Sequence, residues 1–393
     1  MIVSLLVACV PAPTPTDPLD GLTLVAEDPS DGPIRGLADA WMARFDEGDV
    51  EFEAARREAD GLGPAYIRSA CASCHGDDAR GPGVVRKMVV PDDTTLDGEL
   101  LPFGHTERPY VAGGATTPLT IPDDGRVLVS TRAPPAVFGR GYMEAVADAT
   151  IEELAAEQAA LGVVSGRPNH VGCDFEANDE PAFFPCTPGA TVVGRFGLKA
   201  RVPTLDGFAA DAYQGDMAIT SPMRPVELPN PDGLDDDLAP GVDLGLEVVN
   251  RTADYMRLLA IPARETLDAS ALFVDVGCAD CHVPSLPTRA DWPVPELAGV
   301  DAELYTDLLL HDMGPAFSDG LSDYEAGPRE WRTPPLVGLR FMRSFLHDGR
   351  AATVEEATVL HGAEGSEAAP SVAAFQALSD ADRAELIVWI ESL

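Results

Sequence analysis

Two five-residue stretches constrain this chain more than anything else in it: Cys71-Ala72-Ser73-Cys74-His75 and Cys278-Ala279-Asp280-Cys281-His282. In each, two cysteines three apart near a helix start place both sulfurs where they can add to the vinyl groups of one haem. The adjacent His then presents a ring nitrogen to the iron. The pair of motifs predicts two c-type haems, joined covalently at Cys71 and Cys74 and at Cys278 and Cys281, with His75 and His282 as proximal iron ligands. Zinc on four thiolates is the main competitor for paired CxxC motifs. A thioredoxin-like dithiol is the other, and its βαβ context is missing. His directly follows both pairs in a chain holding 7 His, which favours haem.

The other three of the 7 Cys carry separate expectations. Met1 to Ala8 is apolar and runs into Leu6-Val7-Ala8-Cys9, the pattern of a bacterial lipoprotein cleavage site, so Cys9 is a candidate for lipidation. The stretch is too short to span a bilayer, and no later segment has the continuous apolar run of a spanning helix. Cys173 and Cys186 sit in a polar, Pro-containing stretch and are a candidate disulfide of an exported protein. The expected location is the periplasmic side of a bacterial cell envelope, with the membrane reached only through a lipid anchor.

A chain of 393 residues predicts two domains, and its 36 Gly and 35 Pro favour short helices joined by ordered loops. The expected fold class is mainly α: two cytochrome c-like haem domains with long irregular loops and minor β. The expected divisions are a truncated lipoprotein signal over 1–9, a Pro-rich tether over 10–35, an N-terminal haem domain over 36–243 and a C-terminal cytochrome c domain over 244–393. Helical patterning covers 37–70, 143–161, 204–217 and 247–259, with β-like runs such as Arg126–Ser130 between. The acidic, Pro-rich loop 222–243 is the boundary. Thr353-Val-Glu-Glu356 reads as a capping box. A last helix starts at Ser379 with Leu386, Trp389, Ile390 and Leu393 on one face.

Further motifs resemble the bacterial di-haem oxidoreductase family, a peroxidase-like group related to the di-haem cytochrome c peroxidases. They are Ser165-Gly-Arg-Pro-Asn169, Gly194-Arg-Phe-Gly-Leu-Lys-Ala200, Gly215-Asp-Met-Ala-Ile-Thr220, Asp307-Leu-Leu-Leu-His-Asp-Met-Gly314, Glu330-Trp-Arg-Thr-Pro-Pro335 and Phe345-Leu-His-Asp-Gly-Arg350. The resemblance implies a sixth ligand for the C-terminal haem fourteen residues beyond His347, which is His361. It also implies an acidic side chain over the reactive haem, which falls on Asp216 beside Gln214. Leu198 stands where family members commonly have Trp. Distal candidates for the first haem are Met88, His105 and Met217. Arg332 and Arg350 are candidates for pairing haem propionates, while His311 and His347 each precede an Asp that can orient an imidazole.

The resemblance implies a di-haem oxidoreductase, with the His75 haem reactive towards H2O2 and the His282/His361 haem relaying electrons. A non-enzymatic electron carrier and an oxidase acting on a partner protein are the alternatives. A formal charge of −38 argues against nucleic acid as partner and suits a cationic electron donor such as a small cytochrome or cupredoxin.

Overall fold

The computed structural model describes residues 24–25, 32–76, 81, 83–90, 100–173, 183, 189–234, 241–262 and 270–393. Nine α-helices among them are α1 (Asp39–Glu53), α2 (Arg140–Ala145), α3 (Asp148–Leu161), α4 (Leu205–Met217), α5 (Leu246–Leu258), α6 (Ala271–Asp275), α7 (Val354–Leu360), α8 (Ala369–Ala377) and α9 (Asp380–Glu391). Six two-stranded sheets accompany them. The mainly α expectation is thereby overturned: the described chain is a mixture of helices, small sheets and extended segments. The largest sheet pairs Val85–Val89 antiparallel with Leu128–Arg132, and another pairs Leu310–Asp312 with Glu330–Arg332. Prolines and glycines cut the chain too often for long helices, so many buried backbone groups find partners across short ladders.

Local signals account for several boundaries. The helical pattern expected through residue 70 stops at Glu53, before Gly61, Gly63 and Pro64. The stretch 143–161 is two helices, with extended backbone at Val146 and Ala147 between them. Thr204 starts α4 by accepting a bond from Gly207 N at 3.0 Å. Thr353 accepts from Glu356 N at 3.0 Å, and the Glu356 carboxylate returns to Ala352 N at 2.8 Å. The expected face of α9 is realised, with Leu386, Trp389, Ile390 and Leu393 all buried.

Two main cores result. The larger joins α1, α2, α4 and α5 through Phe45, Phe52, Tyr142, Tyr213 and Tyr255. Helices α4 and α5, which flank the acidic loop, both pack into it. Close approach requires Gly141, where a Cβ would lie 1.9 Å from Arg257 O. The smaller core collects Phe273, Tyr305, Val354, Phe375, Trp389 and Ile390. No helix among the described residues is long and apolar enough to cross a membrane.

A buried charge nest ties the helices of the larger core together. Arg257 of α5 contacts Glu144 of α2 at 2.6 Å, Asp206 of α4 at 2.6 Å and Asp254 of its own helix at 2.5 Å. Arg44 of α1 reaches the same Asp254 at 2.5 Å. Removing one member of such a nest leaves the remaining charges buried without compensation, which costs about 3–5 kcal/mol. Arg257→Met is therefore expected to destabilise the protein by roughly that amount. Chemical denaturation at neutral pH checks it, and a loss below about 1 kcal/mol would mean that water reaches the nest.

Candidate functional site

Helix α6 ends at Asp275, and Gly277, with a φ of 82°, turns the chain into a short 3-10 segment over Cys278–Asp280. His282 N then bonds Cys278 O at 3.0 Å. This turn brings Cys278, Cys281 and His282 to the wall of one cavity of about 240 Å³, and His361 lines the same cavity from the C-terminal end of α7. Much of the remaining wall is apolar, including Phe273, Leu336, Phe345, Val354 and Phe375. His282 Nδ1 donates to Tyr305 O at 2.9 Å, and His361 Nδ1 donates to Ala357 O at 2.6 Å. A carbonyl can only accept, so each ring carries its proton on Nδ1 and keeps the Nε2 lone pair free. Burial pushes the His282 imidazole down to about 4, against the pull of the Tyr305 carbonyl, and burial lowers His361 as well. Two neutral imidazoles with free Nε2 atoms facing one apolar cavity, beside two cysteines, match the donors a haem requires.

At the first motif, Cys74 N and His75 N both bond Cys71 O at 3.0 Å. Gly83 lies over this turn, where a Cβ would come within 2.4 Å of Cys74 Sγ. Burial pushes His75 down to about 4, and its Nδ1 lacks a partner of ordinary geometry, although the Pro135 carbonyl faces it. That orphaned donor fits a ring oriented by a ligand on its other nitrogen. Burial raises Cys71 and Cys278 to about 12 and Cys74 to about 11. A redox dithiol needs the opposite shift. The two cysteine pairs also pack against different cores, Cys71 on the larger and Cys278 on the smaller, and among the described residues their four sulfurs do not gather within metal-binding reach of one another, as one four-thiolate zinc site would need.

Asp216 stands at the first motif: its charge acts on both Cys71 and Cys74. Its backbone carbonyl accepts from Ile67 N at 2.7 Å, which ties the end of α4 to the segment entering CxxCH. Burial raises the carboxyl to about 6; Lys87 and Arg201 draw it down and Asp211 pushes it up. Gln214 instead donates to Val226 O at 2.7 Å. Met88 belongs to a satellite cluster with Leu101, Leu119 and Val127, and His105 Nδ1 bonds the Met88 carbonyl at 2.8 Å. Met217 is packed in the larger core.

The remaining candidates divide. His311 is clamped, with Nε2 on Asp307 at 2.8 Å and Nδ1 on Glu367 at 2.9 Å. These carboxylates raise its pKa well above the ordinary imidazole value against the effect of burial. Cys281, Asp307 and His311 lie within metal-binding reach of one another, but His311 has no free nitrogen to offer. His347 stacks on Trp331 at 3.8 Å and 14°. Arg350 is engaged by Asp348 at 2.5 Å and by Ala316 O at 3.0 Å, whereas Arg332 lines the cavity. Leu198 lines it too, where the resemblance would place Trp. Cys173 is disulfide-bonded; Cys186 and Cys9 lie outside the described residues. The sequence reading missed Arg140, which lines the cavity from within α2 and carries no motif signal.

The sequence profile described as "Di-haem oxidoreductase, putative peroxidase" matches residues 116–393. That stretch contains the second CxxCH motif and not the first. Among solved structures, a chain of Kuenenia stuttgartiensis hydrazine synthase, pressurized with 20 bar xenon, is similar at 14% identity and a TM-score of 0.37, over 100% of this chain and 99% of that one. No curated protein matches.

Proposed function

The chain belongs to the di-haem oxidoreductase family, and on that footing we propose that it is a c-type, peroxidase-like oxidoreductase with two unequal sites. The observation carrying this reading is the placement of His282 and His361, both neutral and both with free Nε2, on one cavity beside Cys278 and Cys281. Bound haem supplies one-electron redox chemistry and, at an iron with an open position, reduction of peroxide. His282 and His361 would both hold the second haem, which would close that site to substrate and make it a relay. His75 holds the first site from one side, and Asp216 holds or moves the proton that peroxide cleavage requires. A carboxyl near pH 6 is suited to that task because both protonation states are populated under working conditions.

The Cys173 disulfide supports an oxidising compartment, and we place the protein on the periplasmic side of the envelope, anchored through Cys9. The charge of −38 supports a cationic donor protein. The test is a pyridine haemochrome assay on protein matured in a host competent for c-type attachment. Two haems per chain that survive acid–acetone extraction are expected, and one after Cys278→Ser/Cys281→Ser. A single extractable haem in the parent protein would overturn the reading.

A further inference from the structure

Two guanidinium groups are buried in the wall of the haem cavity without a carboxylate. Arg140 is 7% exposed and Arg332 is 4% exposed, and both line the cavity. Arg140 gives Nε and Nη2 to Ala136 O and Nη1 to the Met143 sulfur at 2.9 Å. Arg332 gives Nε to Gly197 O at 3.3 Å and Nη1 to Thr333 O at 2.7 Å. Neither makes an ion pair among the described residues. The negative charge that acts on Arg332 is Asp307, whose oxygens are already bonded to His311, Gln158 and Leu309 N. Burial lowers both, to about 9 for Arg140 and about 10 for Arg332, and the charge of Arg332 lowers Arg140 further.

A guanidinium has five N–H donors, so each side chain keeps donors unspent. Burying two like charges together without an anion is costly, and the folded protein has reason to do so only if an anion arrives with a ligand. Two other buried cations show the contrast, since Arg257 is surrounded by carboxylates and Arg195 meets Asp148 at 2.6 Å, whereas Arg108, outside the cavity, bonds only the Phe103 and Pro229 carbonyls. Arg140 also acts electrostatically on His75, while Arg332 shares its cavity with His282 and His361. The pair thus lies between the two iron-binding histidine sets.

We propose that Arg140 and Arg332 form a shared clamp for haem propionate carboxylates, one from each haem, and so couple the two sites electrostatically; this rests on the di-haem reading above. Guanidinium groups suit carboxylates through paired, charge-assisted hydrogen bonds. Two nearby positive charges favour the reduced, less positive state of each iron and keep the propionates ionised.

The test is a spectroscopic redox titration of the matured holoprotein and of Arg140→Gln and Arg332→Gln, each with its haem content measured. Each variant is expected to retain two haems and to lower both midpoints. The larger drop should be at least about tenfold in the reduced-to-oxidised ratio, about 59 mV for a one-electron couple. Arg→Lys at either position, which keeps charge but not the fork, should restore part of the shift. Unchanged midpoints, or a shift confined to one haem in both variants, would overturn the clamp while leaving the di-haem reading intact. A parent protein without haem would overturn both. Should the Gln variants fail to mature, infrared spectra of the parent protein decide. Fully ionised propionates at neutral pH are expected, and a protonated propionate carbonyl band there sinks the proposal.

Discussion

Asp216→Asn is expected to lower peroxide turnover by about 10²–10⁴-fold, the usual contribution of a positioned acid–base group, while leaving haem content unchanged. The side chain is held where its charge reaches both cysteines of the first motif, and its neighbours explain its proton affinity. Burial raises it, Asp211 raises it further, and Lys87 and Arg201 oppose both. Lys87 is itself lowered to about 8 by burial and by Arg201 and Arg132. Because the carboxyl must be ionised to accept a proton from peroxide, turnover should rise with pH through about 6 in the parent protein. The Asn variant cannot ionise and should lose that limb. Steady-state turnover with a reduced cationic donor, measured from pH 5 to 8, checks both parts. A variant with full activity and the same limb would remove Asp216 from the chemistry.

His361→Ala should convert one low-spin ferric signal to a high-spin one, with the other signal unchanged. The reason is geometric: the Ala357 carbonyl fixes the proton on Nδ1 and leaves Nε2 for the iron, in a cavity shared with His282. Electron paramagnetic resonance of the oxidised protein reads this directly. His347→Phe is the control. His347 stacks flat on Trp331, a contact that phenylalanine keeps, so the low-spin signal of the His282/His361 site should persist. Survival of that low-spin signal in His361→Ala, or its loss in His347→Phe, would move the sixth ligand elsewhere.

The features legible in the sequence were those whose physics is local. A CxxCH turn needs neighbouring residues only, and both motifs form tight turns in which the His N bonds back to the first cysteine's carbonyl. The same holds for the helix starts at Thr353 and Ser379 and for the buried face of α9. Fold class was misread because the sheets are short and join distant segments. Leu310–Asp312 has too little pattern of its own to announce a pairing with Glu330–Arg332.

What the sequence by itself determined about this protein is therefore the local form of its two CxxCH turns, since the spacing of Cys, Cys and His is set along the chain. His361 could be counted to by resemblance, but only folding brought it to the cavity of His282 with its Nδ1 occupied. The charged neighbours of Asp216, the divergence of Arg332 and Arg350, and the meeting of Arg140 with Arg332 were decided by tertiary structure alone. Their physical reason is common to all three. The worth of a buried charge depends on which counter-charges surround it, and here those neighbours come from segments far apart in the chain.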